Sequence, residues 1–210
     1  MNKHFPTPVS WELSSPTKRY NKTIGVLAVQ GDFLEHIQVL THLGYNAVEV
    51  RLPKDLETID AIILPGGEST TQARLLDVFT LRRPLIERIK HGMPVWGTCA
   101  GMILLATKLM QDRPIPLGLM DITVNRNAFG RQIDSFEYDL TIKELGDIPL
   151  HATFIRAPQV VEKGPGVEIL ANLPDGTIVA AKQDTILVTS FHPELTADTR
   201  LHKYFATLIS

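Results

Sequence analysis

The sequence is poor in cysteine, in long apolar runs and in clustered positive charge, and each shortage removes a class of protein. A single cysteine, Cys99, in 210 residues rules out an internal disulfide, and no Cys/His cluster has the spacing of a zinc site. A reducing compartment, the cytoplasm, is therefore the expected location. No apolar stretch is long enough to cross a bilayer, and residues 1–22 lack the apolar core of a secretory signal. The formal net charge of -2, with no Lys/Arg cluster, argues against a nucleic-acid binder. Internal repeats and low-complexity tracts are absent too.

What remains, with 44% hydrophobic and 21% charged residues, is the composition of an ordinary globular domain. Residues 1–22, with Pro6, Pro8 and Pro16 among several Ser and Thr, are expected to form a flexible N-terminal extension. One domain is expected over residues 23–210. Its first half alternates strands and helices. Ile24–Val29, Ala47–Val50, Ala61–Leu64 and Val95–Thr98 read as buried strands. Helical patterns follow at about Phe33–Leu43, after Ser69 to about Leu76, at about Pro84–His91 and after Cys99, with Gly44 as a C-cap. This alternation predicts an α/β fold: an open, mostly parallel sheet flanked by helices in three layers. From about residue 115 short alternating segments appear, at 120–124, 138–142, 152–155, 167–170 and 177–181. These read as antiparallel additions, with Asp175-Gly176 as a hairpin turn. Ile186–Phe191 is expected to return to the main sheet, and a last helix to cover about Thr199–Ile209.

The richest segment is Pro94-Val95-Trp96-Gly97-Thr98-Cys99-Ala100-Gly101-Met102-Ile103-Leu104-Leu105. A buried strand meets Gly-x-Cys-x-Gly and passes into a helix, the layout of a nucleophile elbow with Cys99 at its tip. The turn puts Cys99 at a helix N-terminus, where free N–H groups and the helix dipole favour an anion. Sites in open α/β sheets form beyond the carboxyl ends of the strands. Pro65-Gly66-Gly67-Glu68-Ser69 follows another such end, and its glycines can turn N–H groups inward as an oxyanion hole requires. His192-Pro193-Glu194 follows a third. A cysteine, a histidine and a carboxylate then supply nucleophile, base and orienter. Singly, each has a plainer reading: a small buried apolar residue, a tight turn, a capping histidine. Three together at the strand ends of one sheet point to a site. His36, His42 and His91 fall on helices and His4 in the tail, and all four are read as structural.

Gly97-Thr98-Cys99-Ala100-Gly101 with His192-Pro193-Glu194 resembles the class I, triad-type glutamine amidotransferases. Gly25-Val26-Leu27-Ala28-Val29-Gln30-Gly31 with Glu35-His36, Leu64–Thr71, Arg126-Asn127-x-x-Gly130-Arg131-Gln132-x-x-Ser135-Phe136-Glu137, Phe154–Pro158 and Ser190–Leu195 narrow the resemblance. Together they are similar to the family of glutaminase subunits of pyridoxal 5′-phosphate synthase, over about residues 23–209. The resemblance implies a flavodoxin-like fold and hydrolysis of L-glutamine to L-glutamate and ammonia. It assigns Cys99 as nucleophile, His192 as acid and base, and Glu194 as its orienter. It further assigns the N–H groups of Gly67 and Ala100 to the oxyanion, and Gly67, Glu68, Ser69, Arg126, Ile155 and Arg156 to glutamine. No cofactor and no metal are implied for this subunit.

The resemblance also implies a partner, a (β/α)₈-barrel synthase subunit in a hetero-oligomeric complex that consumes the ammonia. Gln30 and the first βα loop are the docking and signalling surface it suggests, with docking completing the oxyanion hole. About twenty residues precede the first strand here, where the bacterial family has almost none. Rival readings are a class I glutaminase serving another synthase, such as that for imidazole glycerol phosphate, an elbow-cysteine redox sensor or hydrolase, and a non-catalytic docking subunit. The Arg126–Gln132 and Phe154–Pro158 motifs count against the first. His192-Pro193-Glu194 counts against the second, and the complete Cys/His/Glu set against the third.

Overall fold

A computed structural model describes residues 19–126 and 135–209. The expected extension lies outside these residues except for its last four, as does the middle of the Arg126–Glu137 motif. The first half alternates as the sequence suggests. Strand β1 (Thr23–Leu27) leads to helix α1 (Phe33–His42), β2 (Asn46–Val50), β3 (Ala61–Leu64), α2 (Ser69–Val78), α3 (Arg82–Lys90) and β4 (Val95–Thr98). Leu43 caps α1, and Gly44 follows it at a φ of +90°. Helix α4 (Ala100–Leu105) is only six residues long, because the chain turns at once into β5 (Ala106–Leu109). The sequence reading missed that strand, since Ile103–Ala106 continues an apolar pattern.

The second half supplies β6 (Met120–Asn125), β7 (Ser135–Leu140), β8 (Leu150–Ile155), β9 (Gln159–Lys163), β10 (Glu168–Asn172), β11 (Ile178–Gln183), β12 (Ile186–Thr189) and helix α5 (Arg200–Thr207). Strand β9 was not foreseen either: it carries charge at Glu162 and Lys163 and is mostly exposed beyond Val160. It bridges β6 and β11 in the sheet. Main-sheet order is β2-β1-β3-β4-β12-β11-β9-β6-β5, with β10 on β11, ten strands in all. The five strands from β2 to β12 are parallel, and the pairs β12–β11, β11–β9 and β9–β6 are antiparallel. Gly176, at a φ of +85°, turns the chain between the antiparallel strands β10 and β11, as Asp175-Gly176 suggests. Strands β7 and β8 form a separate hairpin.

Side chains alternate across a strand, so a strand covered on both faces must be apolar throughout. Strand β3 shows why four apolar residues run together: Ile62 and Leu64 enter one core, Ala61 and Ile63 the other. Val95 and Trp96 divide in the same way. Helices α2, α3 and α4 cover the first face through Leu76, Leu85, Ile89, Met102 and Leu104. Helices α1 and α5 cover the second through Leu40, Leu201 and Phe205, together with Leu140, Leu150 and Phe154 of the hairpin. The result is the expected three-layer α/β fold with antiparallel additions. Among the described residues no helix is long and apolar enough to cross a membrane.

Candidate active site

Register brings the three motifs together. Leu64 of β3 pairs with Gly97 of β4, and Thr98 of β4 with Thr189 of β12, so all three strands end at one level. Cys99 leaves β4 at that edge with φ +46° and ψ −100°. Such a backbone is strained for any residue with a Cβ, and it is the geometry that aims a nucleophile above a sheet. The strain is held from both sides. The Cys99 N–H donates to the Thr189 carbonyl at 2.8 Å, and its carbonyl accepts from the Met102 N–H at 3.1 Å. A Cβ on Gly101 would lie 2.0 Å from the Leu64 carbonyl oxygen, so only glycine lets α4 press this close to β3. Cys99 is buried, and its Sγ lies 3.9 Å from the Ile155 carbonyl oxygen.

His192 and Glu194 sit in the short turn after β12. The His192 N–H donates to the Thr153 carbonyl at 2.9 Å, which ties the turn to β8. Its Nδ1 stands 2.7 Å from Glu194 Oε1, with both side chains essentially buried. Burial by itself lowers a histidine, but the Glu194 charge and the adjoining Cys99 sulfur overcome it and hold His192 well above its ordinary value. Burial pushes Glu194 up from the usual carboxylate range, and His192 pulls it back. With Nδ1 committed to Glu194, Nε2 is the nitrogen left for Cys99.

Asp32 is the third group here, its Oδ2 3.5 Å from His192 Nδ1. Ligand atoms of Asp32, His192 and Glu194 lie within 4.8 Å of one another. Two ligands of one zinc ion, each about 2.1 Å from it, stand roughly 3.4 Å apart, so the 2.7 Å contact is a hydrogen bond and not a shared metal.

The loop after β3 is braced by a residue the sequence reading passed over. The amide of Gln72, wholly buried on α2, donates to the carbonyls of Gln30 at 3.0 Å, Pro65 at 3.2 Å and Gly66 at 3.3 Å. Gln30 reaches the same loop, its Oε1 accepting the Glu68 N–H at 2.8 Å. Gly67 takes a φ of +144°. Glu68 caps α2 by accepting the Thr71 N–H at 2.9 Å. Ser69 is buried. Arg126, at the end of β6, stands 3.4 Å from Glu68 and 3.2 Å from Thr70 Oγ1, and it donates to the Arg113 carbonyl. Two residues expected to hold one ligand are thus already paired. Ala100 opens α4 directly after Cys99, while Ile155 closes β8 and Arg156 follows it, exposed, with a φ of +45°.

His36 lies on a helix as expected, but its neighbours belong to the site. It is fully buried on α1, with Nε2 3.4 Å from Glu194 Oε2 and Nδ1 3.0 Å from Nε2 of the equally buried His202. Only its place beside Glu35 in a motif marked it in the sequence. His42 closes α1 and His91 caps α3, both exposed, and His4 lies outside the described residues.

Comparison with known proteins agrees with this fold. Residues 26–210 match the SNO glutamine amidotransferase family. The pyridoxal 5′-phosphate synthase subunit PdxT of Herpetosiphon aurantiacus is 54% identical over 189 residues, spanning 89% of this chain and 100% of that one. PdxT of Carboxydothermus hydrogenoformans is 56% identical over 182 residues, 87% of this chain and 95% of its own. A crystal structure of a glutamine amidotransferase superposes with a TM-score of 0.83 at 45% identity, over 89% of this chain and 98% of that one. The chain therefore belongs to the SNO glutamine amidotransferase family.

Proposed function

We propose that this chain is the glutaminase subunit of a pyridoxal 5′-phosphate synthase, hydrolysing L-glutamine to L-glutamate and ammonia for vitamin B6 synthesis. One domain, residues 23–210, carries the activity. The observation that supports it most is the His192–Glu194 pair set against an elbow cysteine. His192 Nε2 takes the Cys99 proton, and the thiolate attacks the side-chain amide carbon of glutamine. The N–H groups of Gly67 and Ala100 receive the developing oxyanion. Collapse of the tetrahedral adduct breaks the C–N bond; the nitrogen leaves with the proton from His192, as ammonia. His192 then deprotonates water, which attacks the glutamyl thioester, and glutamate leaves while the proton returns to Cys99. Glu194 fixes the imidazole tautomer and steadies its charge.

Glu68, Ser69, Ile155 and Arg156 line the approach to Cys99, and Arg126 offers a planar fork to the substrate carboxylate. For that, Arg126 exchanges its contact with Glu68 for the ligand. The ammonia passes to a (β/α)₈-barrel synthase subunit, and the relatives' name, a subunit of that synthase, supports this partner. Gln30, whose Oε1 accepts the Glu68 N–H beside Gly67, carries the docking signal into the oxyanion hole. Incubating the complex with an electrophilic glutamine analogue tests the reading. A single adduct on Cys99, blocked by excess glutamine and missing from Cys99→Ala, is the expected result; labelling elsewhere, or none in folded protein, overturns it.

A further inference from the structure

A row of buried polar groups continues behind the Cys99, His192 and Glu194 set, and the mechanism above does not use it. Glu194 Oε1 is taken by His192, while Oε2 is buried and has no aligned hydrogen bond among the described residues. His36 Nε2 lies 3.4 Å from it and also stands 3.4 Å from Thr98 Oγ1. Behind it come His202, 3.0 Å away, and the edge-on contacts of both rings with Trp96, whose indole N–H is fixed to Thr189 Oγ1 at 3.2 Å. Elements α1, β4 and α5 thus all converge behind Glu194. The charged and titratable groups facing it are His192, His36 and, from the loop after β1, Asp32.

Proton accounting gives this row a direction. Burial, then the neighbouring His202 and His192, hold His36 well below its ordinary value, and burial lowers His202 to about 3. Both rings are neutral at physiological pH, with one N–H each. A proton on His36 Nδ1 would make His202 Nε2 the acceptor. The His202 N–H would then sit on Nδ1, which is buried without a partner among the described residues. His36 would also turn a lone pair toward the Glu194 carboxylate. The opposite assignment avoids both costs: His202 Nε2–H donates to His36 Nδ1, and His36 carries its proton on Nε2, 3.4 Å from both Thr98 Oγ1 and Glu194 Oε2. All that remains is an unpaired acceptor on His202, which is cheaper to bury than an orphaned donor next to a repelled charge.

We infer that His36, held in its tautomer by His202, is a positioning residue that keeps the Glu194 carboxylate ionised and aimed at His192. The inference deepens the glutaminase reading and rests on it. Carboxylates that orient a working imidazole are themselves held by further partners, and losing such a partner weakens the function without abolishing it.

Two readouts test this: glutamine hydrolysis by the complex with a synthase subunit, and nitrogen-15 NMR titration of the His192 ring in the full chain. His36→Leu removes the donor, and His36→Gln keeps an N–H near the Nε2 position. His36→Leu is expected to lower kcat on the order of tenfold with little change in KM. It is also expected to lower the His192 midpoint by roughly one pH unit, because the anion beside that ring is less firmly held. His36→Gln should recover most of both. An unmoved His192 midpoint in His36→Leu, or equal losses in both variants without a midpoint shift, overturns the inference. If the unmodified complex releases no ammonia, the glutaminase reading fails, and the NMR titration still decides whether His36 acts on Glu194.

Discussion

Glu194 Oε1 stands 2.7 Å from His192 Nδ1 across the single residue Pro193. The proline sets the chain direction between the two, so the short turn itself brings the carboxylate back under the imidazole. Glu194→Gln replaces the anion by a neutral amide that cannot stabilise an imidazolium equally well. The expected loss in kcat is on the order of 10⁴-fold, the scale found when the carboxylate of a triad is neutralised. The His192 midpoint should fall with it. Steady-state kinetics of the complex at several pH values checks this, and a variant with unchanged kcat contradicts it.

Gly66 is the contact point between the loop after β3 and the histidine. A Cβ there would lie 2.3 Å from His192 Cε1 and 2.9 Å from its Nδ1. Gly66→Ala should therefore push the ring off Glu194. Activity should fall at least tenfold, since a misplacement near 1 Å can cost more than that. Stability should change much less, because the ring borders the cleft. Parallel assays of ammonia release and urea unfolding separate the two effects.

Arg126→Ala should raise KM for glutamine by about tenfold or more, as expected for loss of a charge-assisted pair, with a smaller effect on kcat. Arg126→Lys should recover only part, because an ammonium cannot reproduce the two-pronged contact. A change in kcat alone would take Arg126 out of substrate binding.

Stability should fall in mild acid. His36 and His202 are neutral in the fold, with His202 lowered to about 3, but they take up protons near 6.5 in the unfolded chain. The stability they preserve is present above pH 6.5 and is lost as pH falls below it, by up to about 1.4 kcal/mol per unit for each. His192 is raised in the fold, so its contribution is complete below 6.5 and adds no slope there. Urea unfolding between pH 6.5 and 5 measures the effect; a flat profile contradicts the neutral assignment.

Much of the site was legible because its chemistry is local. Cys99 lies between Gly97 and Gly101, and His192 and Glu194 are two residues apart, so short segments carried the elbow and the histidine–carboxylate pair. The strand alternation up to β4 was equally readable, because a strand with two buried faces must be apolar throughout, as Ala61–Leu64 is. His36, His202 and Gln72 were not legible in this way. Each is a single polar residue on a helix, and its partners come from other elements of the fold. Strands β5 and β9 escaped for the complementary reason. The first continues a helical apolar pattern, and the second is short and half charged, so only ladder partners far along the chain define them.

The measurement that bears most directly on the account is ammonia release from L-glutamine by this chain, alone and mixed with a pyridoxal 5′-phosphate synthase subunit, with Cys99→Ala as control. The account predicts release that needs both the partner and Cys99. Strong release by the isolated chain would contradict the dependence on docking. No release from a folded mixture, or equal release by Cys99→Ala, would contradict the glutaminase assignment itself.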